Sequence, residues 1–197
     1  MAVWLHNRIV ALATRIIPSV DEARAVATDL LADLPNRLKH SLRVGETCQQ
    51  VADRLKARNG TRELAVVAAY LHDIGYGARL HDTKFHPIDG ARYLRKIGWD
   101  ALVPFVAHHS QAQLQAELLG LSLAEFRYIR GTIQDLVDYS DVRTGPVGQR
   151  MTPEERLSEI VERHGDDTSA LIVPKRRPYV ARLVQRIERR AGGDPLS

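Results

Sequence analysis

The sequence of 197 residues contains one cysteine, Cys48, and only 6% aromatic residues. A single cysteine excludes an internal disulfide framework and a zinc site built from several thiolates. The few aromatic residues provide little surface on which nucleic-acid bases could stack, so nucleic acid is not the favoured partner. No stretch approaches the roughly 18 uninterrupted apolar residues of a membrane span, and we expect no membrane association.

The apolar run at residues 9–17 lacks the other parts of a secretory signal. Arg8 and Arg15 border its apolar part, and no small-residue cleavage site follows it. We therefore expect a cytoplasmic protein. The composition, with 44% hydrophobic and 26% charged residues, is typical of a globular protein and excludes disordered and collagen-like chains.

Helix-start and helix-stop signals divide the chain into successive helices. Ser19 with Glu22, and Thr152 with Glu155, have the spacing of a capping box. Only the string LIVP at 171–174 is strand-like, and a link between helices explains it equally well. The predicted helices cover residues 20–33, 36–58, 61–75, 87–98, 100–109, 122–139, 153–165 and 175–191, with a loop at 76–86.

The predicted fold is all-α. No repeat, low-complexity tract or linker divides the sequence, and the length suits one domain with a sizeable core. We therefore expect a single domain over residues 1–197, built from about eight helices.

The net charge of +4 is concentrated near the carboxyl end of the sequence. Residues 174–190 contain seven Lys and Arg residues and one Glu, so the remainder of the chain is slightly acidic. Val180, Leu183, Val184 and Ile187 give this predicted helix an apolar stripe. We expect the stripe to pack on the body with the arginines in solvent; contact with an acidic partner or nucleic acid is the alternative.

Five of the eight histidines lie between residues 72 and 109. The pairs His72-Asp73 and His108-His109 each end a predicted helix. A charged aspartate at the end of a buried helix is costly unless it is paired or bound to a metal. Neutral imidazole and carboxylate groups suit Zn, Fe, Mn and similar divalent ions. A lone histidine is usually a hydrogen-bonded core or surface residue, but so many at helix ends favour a metal site.

The arrangement resembles the HD superfamily of metal-dependent phosphohydrolases. That family carries a His, a later His-Asp dipeptide and a final Asp on separate helices, which here are His40, His72-Asp73 and Asp141. The resemblance covers about residues 36–163. The matching strings are LHDIGY (71–76), FHPIDGARYLR (85–95), VAHHS (106–110) and DYSDVRTGPVGQRMTPEERLSEI (138–160).

The resemblance implies a set of metal ligands and a catalytic residue. His40, His72, Asp73 and Asp141 are expected to hold a first metal ion, with Asp73 also orienting a hydroxide. Two-metal branches of the family add further histidines as ligands, and the matching candidates here are His86, His108 and His109. Within the His108-His109 pair, His109 matches the family's ligand position less well. We therefore expect two divalent transition-metal ions per chain, of the Fe, Mn, Zn, Ni or Co class, bridged by Asp73.

Asp138 lies on the same helical side as Asp141. The family string places the ligand directly before the RTGP segment, and we therefore interpret Asp138 as a cap or as a partner of the ligand.

The function implied by the resemblance is hydrolysis of a nucleotide or another small phosphate ester by a metal-activated water. Arg79, Lys84 and Arg143 are the candidate phosphate-binding residues, with an ordinary solvated charge as the alternative for each. The string HDIGYG at 72–77 lacks the Lys of the cyclic-dinucleotide branch, which argues against that substrate. Two alternatives stay open, namely a di-iron oxygenase acting on a small organic substrate and a non-catalytic nucleotide-binding module.

Overall fold

A computed structural model describes residues 17–192. These residues form ten α-helices and no β-strand, with one isolated bridge between Thr144 and Arg150. The all-α prediction is confirmed, and the number of helices is larger than the expected eight because several are short. The helices are α1 (Val20–Leu30), α2 (Pro35–Arg54), α3 (Asn59–Leu71), α4 (His86–Lys96), α5 (Val103–Ala107), α6 (Ala112–Leu118), α7 (Thr132–Val142), α8 (Pro153–His164), α9 (Thr168–Leu171) and α10 (Val173–Arg190).

The apolar run considered as a secretory signal lies, apart from Ile17, outside the described residues. Within the part of the chain that is described, no helix combines the length and the apolar character that a membrane crossing requires.

Both predicted capping boxes are present. Ser19 accepts a hydrogen bond on its hydroxyl from the Glu22 backbone N–H at 3.2 Å, and the Glu22 carboxylate accepts one from the Ser19 N–H at 2.7 Å. Thr152 and Glu155 form the same reciprocal pair at the start of α8, with distances of 3.2 and 2.7 Å. Each box satisfies backbone donors that the helix itself leaves unpaired, which fixes where α1 and α8 begin.

The predicted helix at 122–139 is wrong in its first half, because α7 begins at Thr132. The Ser122 hydroxyl accepts a hydrogen bond from the Ala124 N–H, which closes a local turn instead of capping a helix. Glu125 does not reach back to Ser122, because its carboxylate accepts hydrogen bonds from Arg92 and Arg95 of α4. Tertiary ion pairs thus override the local capping signal.

The strand-like string at 171–174 joins two helices, which confirms the linking interpretation. Leu171 ends α9 and Val173 begins α10. The helix predicted over 61–75 ends at Leu71 and is followed by a 3-10 turn at Ile74–Tyr76, and the predicted loop at 76–86 contains a second 3-10 turn at Ala78–Leu80.

Helix α3 is the centre of the core. Every residue from Ala65 to Leu71 is buried, and α1, α2 and α7 pack around it. A helix that is apolar on all sides must be enclosed by other elements, and α3 therefore carries its last residues into the interior. Cys48 of α2 faces this core and is fully buried, and burial raises the pKa of its thiol to about 12. It is an apolar core residue rather than a nucleophile.

A close backbone approach joins the end of α3 to the start of α4. A Cβ atom added at Gly75 would lie 2.0 Å from the His86 carbonyl oxygen and 2.7 Å from the Gly90 nitrogen. Glycine at position 75 is therefore required for His86 to reach the end of α3.

We expect Gly75→Ala to lower the free energy of unfolding by about 2 kcal/mol or more, because neither neighbour is a side chain that can rotate away. Thermal and urea unfolding measure the change. Gly60→Ala is the matched control, since an added Cβ there meets nothing within 4 Å, and it should cause no loss. Equal stability of Gly75→Ala and the wild type would contradict the close approach.

Candidate metal centre

The Asp73 carboxylate lies between two groups of imidazole nitrogens. Its Oδ2 atom is 3.2 Å from Nε2 of His72 and 3.6 Å from Nε2 of His40. Its Oδ1 atom is 3.3 Å from Nε2 of His86 and 3.6 Å from Nε2 of His109. Each carboxylate oxygen thus belongs to a different donor set, with Asp73 shared between them.

The first donor set combines three helices. His40 of α2 and His72 at the end of α3 have ligand atoms within 4.8 Å of Asp73, and Asp141 of α7 lies beside both imidazoles. The Asp141 Oδ1 atom is 3.2 Å from Nε2 of His40 and 4.0 Å from Nε2 of His72. All four residues are buried. Two carboxylates and two imidazoles in one buried cluster are a ligand set suited to a divalent transition metal.

Backbone carbonyl groups orient the imidazole rings. The Nδ1 atoms of His40, His72 and His109 face the carbonyl oxygens of Gly145, Ala69 and Val106 at 3.0, 2.7 and 2.7 Å. A ring that donates its Nδ1–H to a carbonyl presents the lone pair of Nε2 on its other side, which is the usual support for a metal-binding histidine.

Two buried imidazole nitrogens without hydrogen-bond partners indicate that the first donor set is suited to a metal ion. The Nε2 atoms of His40 and His72 are buried and make no hydrogen bond to any described residue. A buried polar atom without a partner costs about 1–3 kcal/mol. Both atoms lie beside the carboxylate oxygens of the first set, where a bound cation would satisfy them.

The second donor set is formed by Asp73, His86 and His109, whose ligand atoms lie within 4.8 Å of one another. The Nε2 atoms of His86 and His109 face each other at 3.1 Å. Because the Nδ1 atom of His109 donates to Val106, its Nε2 atom carries a lone pair that requires a proton or a cation opposite it. Tyr76 stacks on the His86 ring with centroids 4.0 Å apart and fixes that side chain.

The pKa values of both carboxyl groups of the cluster are held below the usual range. Burial alone would raise the pKa of Asp73, but the charges of His72 and Arg37 and the close approach of His109 outweigh it, and the pKa lies well below its usual value. Burial is likewise outweighed at Asp141, where His40 and the charge of His72 hold the pKa well below its usual value.

The histidines differ in their affinity for protons. Burial lowers the pKa of His40, and it lowers that of His86 well below the ordinary value despite the attraction of Asp73. At His72 the effect of burial is outweighed by the charges of Asp73 and Asp141, and the pKa is raised. Metal binding requires neutral imidazoles, so the metal competes with a proton at His72.

His108, expected among the ligands, lies outside both donor sets. Its Nε2 atom is 3.0 Å from the carbonyl oxygen of Phe126, and its ring contacts Tyr128 edge-on with centroids 5.1 Å apart. Successive side chains at a helix end point in directions about 100° apart, so only one member of the pair can face Asp73. That member is His109.

Asp138 supports the turn that follows His109. Its carboxylate accepts hydrogen bonds from the Ser110 N–H at 2.8 Å, the Gln134 amide at 2.8 Å and the Tyr179 hydroxyl at 2.6 Å. Ser110 and Gln111 both have left-handed backbone conformations, with φ of 53° and 57°, and such residues persist only where their surroundings hold them. Asp138 is thus a supporting residue, in agreement with the interpretation from the sequence.

Arginines border the cluster, and sequence reasoning missed them. Arg37 of α2 donates to Oδ2 of Asp73 at 2.6 Å, and its guanidinium lies 4.2 Å from the centroid of the Tyr76 ring. Arg176 of α10 is buried and lies 3.6 Å from Oδ2 of Asp141. Arg156 and Arg163 of α8 are joined through the carboxylate of Glu159. The cleft beside the donor sets is lined by Arg37, Arg156, Arg163 and Arg176.

The placement of Arg176 corrects the expectation that the arginines of the last helix all face solvent. The apolar stripe of α10 is buried as expected through Val180, Leu183 and Ile187. Arg176 lies one turn before Val180 and therefore shares its buried side. One positive charge of the basic helix thus belongs to the cleft.

The three phosphate-binding candidates from the sequence lie elsewhere. Arg79 pairs with Asp29 at 2.7 Å on the surface, and Lys84 is not among the residues that line the cleft. Arg143 lines a separate cavity with Arg43. It is two residues from Asp141 on one helix end, so the two side chains point about 200° apart.

A family model for the HD domain matches residues 37–191. The chain belongs to the HD domain family. The match extends beyond the predicted 36–163 and includes α9 and α10. Searches of curated proteins and of solved structures give no match.

The HD family is a superfamily of metal-dependent hydrolases whose domains bind divalent metal ions. The clustered histidines and aspartates of this HD domain are able to hold a metal. His40, His72, Asp73 and Asp141 would hold one ion, and Asp73, His86 and His109 a second.

We expect the metal content per chain to follow the two donor sets. Wild-type protein should contain two divalent ions, His86→Ala and His109→Ala one, and Asp73→Ala none, because Asp73 belongs to both sets. Elemental analysis of natively purified protein measures the content. His108→Ala is the control and should retain two ions, and a loss of metal in that variant equal to that of His109→Ala would refute the assignment.

Proposed function

We propose that the protein is a metal-dependent phosphohydrolase acting on a nucleotide or another small phosphate ester. The observation that supports the proposal is a cleft in which a shared aspartate, two donor sets and four arginines lie side by side. A divalent cation held there lowers the pKa of a water toward neutrality and neutralises charge on a phosphoryl oxygen.

The arginines supply the means to bind the substrate. A guanidinium presents several N–H donors in one plane and pairs with two phosphate oxygens at once. Arg176 and Arg156 are buried, where a charged hydrogen bond is weakened less by water. Arg37 and Arg163 complete the border of the cleft from α2 and α8. Together they would hold the phosphoryl group beside Asp73.

Fixed partners keep these groups in position before the substrate arrives. Glu159 joins Arg156 to Arg163, and Tyr76 lies against both Arg37 and the His86 ring. Asp73 itself accepts from Arg37, so its carboxylate stays ionised and oriented. Groups that need no rearrangement contribute most to stabilising charge that develops during reaction.

A panel of phosphate compounds tests the proposal. With Mn²⁺, Fe²⁺, Ni²⁺ or Co²⁺ restored, the protein should release phosphate or a nucleoside from at least one mono-, di-, tri- or cyclic nucleotide or simple phosphate ester, as measured by chromatography. Asp73→Ala should be inactive, because it removes the group shared by both donor sets, and His108→Ala should retain activity. Metal-loaded protein that hydrolyses nothing and instead consumes oxygen with a small organic substrate would favour the di-iron oxygenase.

Arg176→Ala and Arg177→Ala form a matched pair for the substrate-binding arginines. Arg176 lines the cleft, whereas Arg177 is exposed and pairs with Glu154. Loss of one charged hydrogen bond costs about 1.5–3 kcal/mol, so Arg176→Ala should lower kcat/KM by about tenfold or more. Arg177→Ala should leave kcat/KM unchanged. Equal kinetics of the two variants would exclude Arg176 from phosphate binding.

A further inference from the structure

A further cavity lies on the far side of the strained turn that follows His109. Its volume is about 500 Å³, within the roughly 300–1,000 Å³ typical of small-molecule sites. The amide side chains of three glutamines line it, together with two tyrosines, and we refer to it as the amide cavity. The residues used below are Gln111, Gln113, Gln134, Tyr128, Arg130 and Arg182.

Each of the three glutamines that line the amide cavity has an amide oxygen without a hydrogen-bond donor. The Oε1 atoms of Gln111, Gln113 and Gln134 are buried and unpaired with respect to every described residue. Gln134 is only 4% exposed, and its Nε2 atom donates to Asp138. Because the Nε2 atom of Gln134 makes this bond, its Oε1 atom faces away from Asp138. Three buried acceptors at one cavity, each costing about 1–3 kcal/mol when unpaired, call for a ligand that carries several N–H groups.

The cavity also offers an aromatic face and positive charge. Tyr128 is 46% exposed and contacts the His108 ring edge-on, while the Arg130 guanidinium lies 5.7 Å from its centroid. Asp135 is neutralised by Arg186, which donates to both of its oxygens at 2.7 and 3.1 Å. The lining arginines Arg130 and Arg182 therefore leave the cavity with an excess of positive charge.

The amide cavity is distinct from the metal cleft. Along the segment that starts α6, Ala112 faces the cleft, whereas Gln111 and Gln113 face the amide cavity. Along α10, Arg176 lines the cleft and Arg182 lines the amide cavity. The two sites thus lie on opposite sides of the same two elements.

We propose that the amide cavity binds a small anion whose planar ring carries N–H groups, the chemistry of a nucleoside monophosphate with an amino-substituted base. The amide oxygens accept from the base, Tyr128 stacks on it, and Arg130 and Arg182 bind the phosphate. Neither a metal ion nor turnover is needed for this binding. His108, which takes no part in the metal cluster, acquires a role through its edge-on contact with Tyr128.

Calorimetric titration of the full chain with adenosine monophosphate in EDTA tests the site. Arg182→Ala should weaken binding by about tenfold, as expected for one charged hydrogen bond, and Gln113→Leu should weaken it as well. The exposed Arg189→Ala, on the same helix, should leave binding unchanged. Circular dichroism of each variant checks the fold.

Adenosine and ribose 5-phosphate separate the two halves of the ligand, and each should bind about tenfold more weakly than adenosine monophosphate. Absence of binding, or binding that is lost in Arg176→Ala and retained in Arg182→Ala, would overturn the proposal. Equal affinity for ribose 5-phosphate would overturn the role of the amide oxygens. Because the titration contains no metal and no reaction, failure to find phosphohydrolase activity leaves its result unaffected.

Discussion

A buried negative charge at Asp73 determines much of the structure around it. Its carboxylate ends the central apolar helix, where an ion without partners would destabilise the fold by several kcal/mol. Arg37 donates to this carboxylate, and the Nε2 atoms of four imidazoles surround it, where a bound cation would satisfy both the carboxylate and the imidazoles. The Asp73 carboxylate therefore brings side chains from α2, from α4 and from the segment after α5 together at the end of α3. The same carboxylate is shared by the two donor sets.

The surrounding backbone holds this arrangement in place. Carbonyl groups at Ala69, Val106 and Gly145 orient three of the rings, and the glycine at position 75 lets the start of α4 approach. A polar network in which each member has a partner is rigid, whereas a partly satisfied one is destabilising. The unpaired nitrogens of His40 and His72 are exceptions, and a cation bound beside them would satisfy both.

Patterns in short stretches of the sequence were sufficient to predict the helical fold and the main cluster of histidines and aspartates. The all-α fold was predicted from helix caps and periodicity, and the cluster of His40, His72, Asp73 and Asp141 was expected from the resemblance to the HD family. The choice between His108 and His109 depends on the direction of side chains at one helix end. The prediction that a helix begins at Ser122 was wrong because arginines distant in the sequence bind Glu125. Some residues, such as Arg176, reach the cleft only through tertiary packing. No motif in the neighbouring sequence indicates that position.

The position of Arg176 in the chain bears on the order in which the protein is completed during synthesis. Every imidazole and carboxylate of the two donor sets precedes α8 in the sequence, whereas Arg176 lies in the last described helix. A ribosome therefore releases the whole ligand set before the guanidinium that faces Asp141. The contact between Arg176 and Asp141 can therefore form only after every residue of the two donor sets has been synthesised.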